Sequence, residues 1–224
     1  MLVNRNGIIL NIFEGVPENR QEIFSFNSDF IVCRVNPFDS DGADWLRKQG
    51  FFFADRQLDC RVSLKNLPES HVRQRFQIQI DSMDYRNAQE IYRAAFVHDR
   101  RFHLRPAYDN MLADCVIEGY VDEAVHNNMT LLSCYAKEQA LGCAYLQAFD
   151  KEMFVYLAAV LPHYQGTGAS VELYRACADY ARKIGKRTLT GRVSASNTAV
   201  INLYATLRAN FSHSVDVYIL ERKI

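Results

Sequence analysis

The chain is predicted to fold in the α/β (α+β) class, with helices flanking a sheet. Three observations carry this. From residue 76 onward the apolar pattern switches between the two-residue period of strands and the 3.6-residue period of helices, in the order β-α-α-β-β-β-α-β-α-β. The clearest helix opens directly after an apolar run closed by a proline and a glycine-bearing loop. Apolar residues make up 49% of the 224, enough for a sizeable core, and the 23% charged residues do not suggest disorder.

The elements follow in order. Residues 30–35 form a short apolar run ended by Asn36 and Pro37. The stretch 39–41 can cap a helix through Ala43, Trp45, Leu46 and Lys48, which Gly50 would stop. Residues 51–64 carry aromatics and then alternation at Leu58, Cys60, Val62 and Leu64, the pattern of a strand or a hairpin. The polar stretch 66–75, which contains Pro68, reads as a linker. It would divide the chain into a small N-terminal α/β domain, residues 1–70, and a second domain, residues 76–224.

In the second part Phe76, Ile78 and Ile80 alternate with polar residues, as in a half-buried strand. Residues 85–97 have helical spacing at Ala88, Ile91, Tyr92 and Ala95, and 108–125 at Met111, Leu112, Cys115, Val116 and Tyr120. Residues 129–135, 140–149 and 153–161 are three successive strands with short polar gaps that read as hairpins. Residues 169–184 carry one apolar stripe, Val171, Tyr174, Cys177, Ala178, Ala181 and Ile184, before Gly185. A strand at 187–193, a short helix at 199–207 and a strand at 211–220 complete the chain.

Charge and cysteine usage narrow the class. Twenty-six Lys and Arg balance 26 Asp and Glu, which argues against a dedicated nucleic-acid binder. The six cysteines form no CxxC pair, so no metal site is expected and reduced, buried thiols are. The N-terminus does not read as a signal peptide, and no window approaches the ~20 apolar residues of a membrane span. The expectation is a soluble cytoplasmic protein without a membrane partner. Exposed strand edges would allow a homodimer.

The segment that carries chemistry is 157–170. An apolar strand runs into Pro162, and the loop holding Gly166 and Gly168 opens the long helix. A helix start presents unpaired backbone N–H groups backed by the positive end of its dipole, a geometry that binds pyrophosphate. The two glycines let the backbone approach the phosphates without a Cβ in the way. A P-loop is excluded because no Lys-Ser/Thr follows the glycines, and the dinucleotide fingerprint needs a first parallel βα unit. A tight turn whose glycines serve only steric needs is the alternative.

Gln165-Gly-Thr-Gly-Ala-Ser170, with Asn197 twenty-nine positions after Gly168 and Tyr204 seven after that, resembles the GCN5-related N-acetyltransferase (GNAT) superfamily. The family's loop reads R/Q-x-x-G-x-G/A, and Ser170 is a small departure from it. The resemblance covers roughly residues 76–224. It implies a mixed central sheet with flanking helices, and acetyl-CoA as co-substrate. It implies too that Ala158, Ala159 and Val160 pair with the pantetheine arm in the manner of an added strand. Gln165, Gly166, Thr167, Gly168, Ala169 and Ser170 would cradle the pyrophosphate, and Asn197 would contact the pantetheine region. Tyr204 would protonate the departing thiolate; a tyrosine of pKa about 10 is protonated at neutral pH and can donate. Packing under the last strand is the other reading of this residue. One family branch has a Glu base five residues before the asparagine, where this chain has Arg192, so no base is named.

Between the first two helices of the second part lies a basic segment with His98, Arg100, Arg101, Phe102, His103 and Arg105 against Asp99. Arginine forks suit a diphosphate, while a solvated basic loop is the plainer reading. The chain resembles in looser features, Ala95-Phe96 followed by Arg101-Phe102 among them, the TDP-fucosamine acetyltransferase group. That likeness implies an N-terminal partial acetyltransferase-like domain and a small-molecule amine acceptor, a nucleotide-linked amino sugar, with Arg101, Phe102, His103 and Arg105 at the acceptor site. Other amines, such as a polyamine, an antibiotic or a protein Lys, and a non-catalytic acetyl-CoA-binding module remain alternatives.

Overall fold

The computed structural model describes residues 2–3, 9–67, 76–97 and 110–222. Ten strands form one mixed sheet: β1 (Leu2–Val3), β2 (Ile9–Glu14), β3 (Phe30–Val35), β4 (Phe52–Ser63), β5 (Gln77–Ile80), β6 (Thr130–Ala136), β7 (Gln139–Ala148), β8 (Glu152–Val160), β9 (Thr188–Ser194) and β10 (Asn210–Glu221). Their spatial order is β1-β2-β3-β10-β4-β9-β8-β7-β6-β5. The helices are α1 (Ser40–Lys48), α2 (Tyr85–Ala95), α3 (Asn110–His126), α4 (Ala169–Lys183) and α5 (Thr198–Thr206).

The expected elements form where their periodicity placed them. Asp39 caps α1 by accepting from the Gly42 N–H at 2.9 Å, and Asp84 caps α2 by accepting from the Arg86 N–H at 2.8 Å. Residues 52–63 are a single twelve-residue strand, not a hairpin. The stretch 9–14, which carried no strong signal, forms β2 parallel to β3. The expected half-buried β5 lies at the sheet edge, paired only with β6, and leaves Ile80 46% exposed.

The first 67 residues and the later ones share this sheet. β4 lies between β9 and β10 and pairs antiparallel with both, from Gln57↔Ser194 to Ser63↔Thr188 on one side. Arg56 grips Asp216 of β10 with two hydrogen bonds, at 2.6 and 2.9 Å. Arg182 of α4 reaches the carbonyls of Leu64 and Leu67.

Of four apolar clusters among the described residues, two sandwich the part of the sheet from β6 to β8. On one face α4 and α5 bury Leu173, Cys177, Ala181, Leu203 and Tyr204 against Cys60, Val62, Leu141, Met153 and Leu189. On the other, α2 and α3 bury Ile91, Tyr92, Val121 and Ala124 against Leu131, Cys143, Tyr145 and Ala159. Five of the six cysteines are buried free thiols: Cys60, Cys134, Cys143 and Cys177 in these two clusters, and Cys33 in a third with Ile31, Leu46 and Tyr218. Among the described residues no helix is long and apolar enough to cross a membrane.

Candidate functional site

The site is an opening in the sheet. β8 and β9 run parallel and pair from Glu152↔Thr188 to Val155↔Gly191. Beyond that last rung β8 continues to Val160 and β9 to Ser194 without pairing to each other. The divergence begins at a bulge. β7 opposes Tyr145 to Leu157 and Leu146 to Val155, which leaves Tyr156 as the extra residue in β8. A bulge bends its strand, and this one bends β8 away from β9 at the point where the rungs end.

Ala158, Ala159 and Val160 lie on the opened part of β8, held from the far side by Ala144, Cys143 and Gly142 of β7. A Cβ at Gly142 would collide with the Ala159 carbonyl and the Val160 side chain, so glycine permits this close approach. The edge of residues 156–160 that faces β9 offers backbone groups to an extended ligand.

At the end of β8 a one-turn 3-10 segment, Pro162–Tyr164, leads into the loop. The Thr167 hydroxyl donates to the Tyr164 carbonyl at 2.7 Å, and Gln165 Nε2 to the Val160 carbonyl at 3.4 Å. Gly166 and Gly168 have φ of 78° and 95°, a conformation that costs other residues strain. Gly168 is the N-cap of α4, and the first helical hydrogen bond runs from Glu172 N–H to its carbonyl. The N–H groups of Gly168, Ala169, Ser170 and Val171 precede that bond and have no intrahelical acceptor. The residues present thus fit a pyrophosphate: a glycine cradle, unsatisfied donors and a helix dipole.

Tyr204 on α5 reaches the same rung from the α4/α5 face. Its hydroxyl sits on Gly191, where a Cβ would collide with it. Its ring packs edge-on against Tyr174 at 5.2 Å, and its hydroxyl and the Cys60 thiol both crowd the space beside Gly191. Cys60 also donates to the Gly191 carbonyl at 3.1 Å. Burial pushes the Tyr204 hydroxyl well above its ordinary pKa, so it keeps its proton. Tyr204 is both a packed core aromatic, 2% exposed, and a proton holder at the last rung.

Asn197 is the N-cap of α5: Oδ1 accepts from the Val200 N–H at 3.1 Å. Arg192 is ion-paired with Asp59 at 2.8 Å. Arg101, Phe102, His103 and Arg105 lie outside the described residues. The sequence reading missed Cys60 and Tyr174 around Tyr204, and Tyr156 with Glu123, whose Oε2 accepts the Tyr156 hydroxyl at 2.7 Å. Pairings between strands distant in the chain leave no local signal; a bulge in an apolar run leaves none either.

Among the described residues the thiols are not nucleophiles in waiting. Loss of hydration pushes Cys60 and Cys134 up to about 11 and Cys33 and Cys143 up to about 12, so they stay neutral. Among the described residues no group of His, Cys, Asp and Glu could hold a metal ion.

Residues 86–208 match the sequence model of the acetyltransferase (GNAT) family. No curated protein matches the chain in sequence. Among solved structures, a GCN5-related N-acetyltransferase from Sphaerobacter thermophilus is similar at TM-score 0.60 and 14% identity, over 86% of this chain and 59% of that one. A functionally unknown conserved protein from Staphylococcus epidermidis is similar at TM-score 0.67 and 17% identity, over 95% and 84%. A GCN5-related N-acetyltransferase from Kribbella flavida is similar at TM-score 0.61 and 11% identity, over 92% and 73%. The chain thus spans less than two thirds of the length of the Sphaerobacter protein, and at these identities the likeness is one of fold. The matched region runs from α2 into the turn after α5 and so includes the parted strands, the glycine cradle and Tyr204; on that match, the chain belongs to the GNAT family of acetyltransferases.

Proposed function

We propose that the chain transfers acetyl from acetyl-CoA to a primary amine by direct attack with both substrates bound, and that the amine belongs to a nucleotide-linked amino sugar. The observation that carries the transfer is the parting of β8 and β9 after Val155 and Gly191, with the glycine cradle at the open end and a tyrosine hydroxyl at the closed end.

Acetyl-CoA supplies an activated acetyl thioester. The backbone of Ala158, Ala159 and Val160 binds the pantetheine arm as a neighbouring strand would. The N–H groups of Gly168, Ala169 and Ser170, with Gln165, Gly166 and Thr167, bind the pyrophosphate. Asn197, at the mouth between β9 and α5, contacts the arm through its amide. Tyr204 holds a proton at its hydroxyl for the departing thiolate. Cysteine chemistry does not compete, because the thiols near the site are buried and protonated. The amino-sugar acceptor rests on the basic segment with Arg101, Phe102, His103 and Arg105, whose guanidinium forks match a diphosphate.

Isothermal titration with acetyl-CoA tests the reading. Wild type binds; Gly168→Asp loses about tenfold or more, since its carboxylate meets the pyrophosphate. Gly168→Asn, neutral and tolerant of the left-handed conformation, keeps more of the affinity. Absence of wild-type binding would reduce the loop to a turn. An acceptor screen led by nucleotide-linked amino sugars then tests the amine, with Arg101→Ala expected to raise the acceptor KM more than that of acetyl-CoA.

A further inference from the structure

The geometry points to Glu123 and Tyr156 as the unit that takes the proton from the attacking amine. This rests on the acetyl-transfer reading above and deepens it by supplying the proton acceptor that reading leaves unassigned.

Transfer to an amine needs two proton positions. One gives a proton to the departing thiolate, and the other takes one from the nitrogen. Nucleophile and leaving group flank the same carbonyl carbon, so the two positions belong on different sides of it. The last rung has a tyrosine on each face of the sheet. Tyr204 stands over Gly191 on the α4/α5 face. Tyr156, the bulged residue one position past Val155, turns its side chain to the α2/α3 face. There its hydroxyl donates to Glu123 Oε2 of α3 at 2.7 Å, and its ring meets Tyr120 edge-on at 6.0 Å. The bulge that opens the sheet is therefore also what aims this hydroxyl.

The neighbouring charges leave Glu123 able to act. Arg34 of β3, whose charge reaches Tyr156, is ion-paired with Glu14 of β2 at 2.6 Å. Arg93 of α2 pairs with Glu118, earlier on α3. Asp122 is its own neighbour in α3 and sends its charge towards Tyr145 of β7. Arg192 of β9, where a family branch keeps its carboxylate, is paired with Asp59. Among the described residues Glu123 has no ion pair, and its Oε2 is engaged by the Tyr156 hydroxyl. Burial first, and the bond to Glu123 second, keep Tyr156 protonated and donating.

The amine N–H donates to Tyr156 Oη. As the N–C bond forms and the C–S bond breaks, the amine proton passes to Oη and the proton already there passes to Glu123 Oε2. The thiolate takes the Tyr204 proton, and exchange with solvent returns the Glu123 proton and restores Tyr204.

Glu123→Gln, Tyr156→Phe and the double variant test the unit by thiol release from acetyl-CoA, using the primary amine of a graded panel that wild type uses fastest. The same amine is titrated calorimetrically into protein saturated with CoA. Each single variant should lose about 100-fold in kcat with the acetyl-CoA KM unchanged. The double should lose no more than the worse single, because the two act together. Amine affinity in the CoA-saturated protein should fall about fivefold in both. The kcat of Glu123→Gln should climb tenfold per pH unit up to the amine's own pKa, while wild type levels off at lower pH. Acetyl-CoA binding reports that each variant is folded; if Glu123→Gln is not, Glu123→Asp replaces it and should show an intermediate kcat. Full activity in either single variant, additive losses, or a loss that follows acetyl-CoA affinity would overturn the assignment alone. A wild type that acetylates no amine of the panel would overturn the acetyl-transfer reading, and this assignment with it.

Discussion

Tyr204 has two jobs at one position. Its hydroxyl fills the space that a side chain at residue 191 would need, and its ring closes the core against Tyr174. Gly191→Ala should therefore lower the melting temperature, and Tyr204→Phe should relieve part of that loss, because the clash is with the hydroxyl. A double-mutant cycle in thermal unfolding measures this coupling. Activity should separate from stability: Tyr204→Phe alone should lose about 100-fold in kcat if it supplies the thiolate's proton. The sequence placed Tyr204 by its spacing from Asn197, yet Cys60, which packs beside it at Gly191, lies 144 positions earlier and reaches it through β4. The buried thiols make stability depend on pH. Each is neutral in the fold at a pH where an unfolded thiol, near 9.0, has begun to ionise. The folded state then binds more protons than the unfolded one, so stability is full below about pH 9 and falls as pH rises toward 11 and 12. Unfolding midpoints under reducing conditions should show that decline, and Cys134→Ala should lessen it.

Among the elements, α5 depends on Asn197 for its start. Asn197→Ala removes the cap and should cost about 1 kcal/mol, or a few degrees in melting temperature. Asn197→Ser keeps a capping oxygen but not the amide donor. If Asn197 also contacts the pantetheine arm, the serine variant should recover stability without recovering acetyl-CoA affinity; recovery of both would leave only the cap. The β8–loop–α4 unit was the most legible part of the chain because its determinants are local. Pro162 stops the strand, positive-φ glycines make the turn, and the apolar stripe makes the helix. The bulge at Tyr156 was not legible. Its existence depends on two neighbours, β7 on one side and a departing β9 on the other, and residues 153–161 read the same with or without it.

In the molecule as a whole, β4 is the piece that joins the halves. The polar stretch after residue 65 suggested a boundary between two domains, while the sheet runs β10-β4-β9 across it. Deleting residues 1–67 would remove both neighbours of β10 and one of β9, and would bare the apolar faces of Val62, Leu64 and Cys60's partners. Residues 76–224 alone should be insoluble or lack a cooperative melting transition, and adding residues 1–67 as a separate chain should restore one where the two reassemble. Soluble, cooperative folding of the fragment would establish residues 76–224 as an autonomous domain. A dozen neighbouring residues suffice to encode the strand and helix periods, the caps, the glycine loop and hence the class of ligand it suits. The tertiary structure alone decided that an N-terminal strand completes the sheet beside β9, that β8 bulges where it leaves β9, and that Glu123 and Cys60 stand on opposite faces of one rung. Strand pairing is set by total burial and hydrogen bonding over the whole sheet, and no local window of sequence contains that sum.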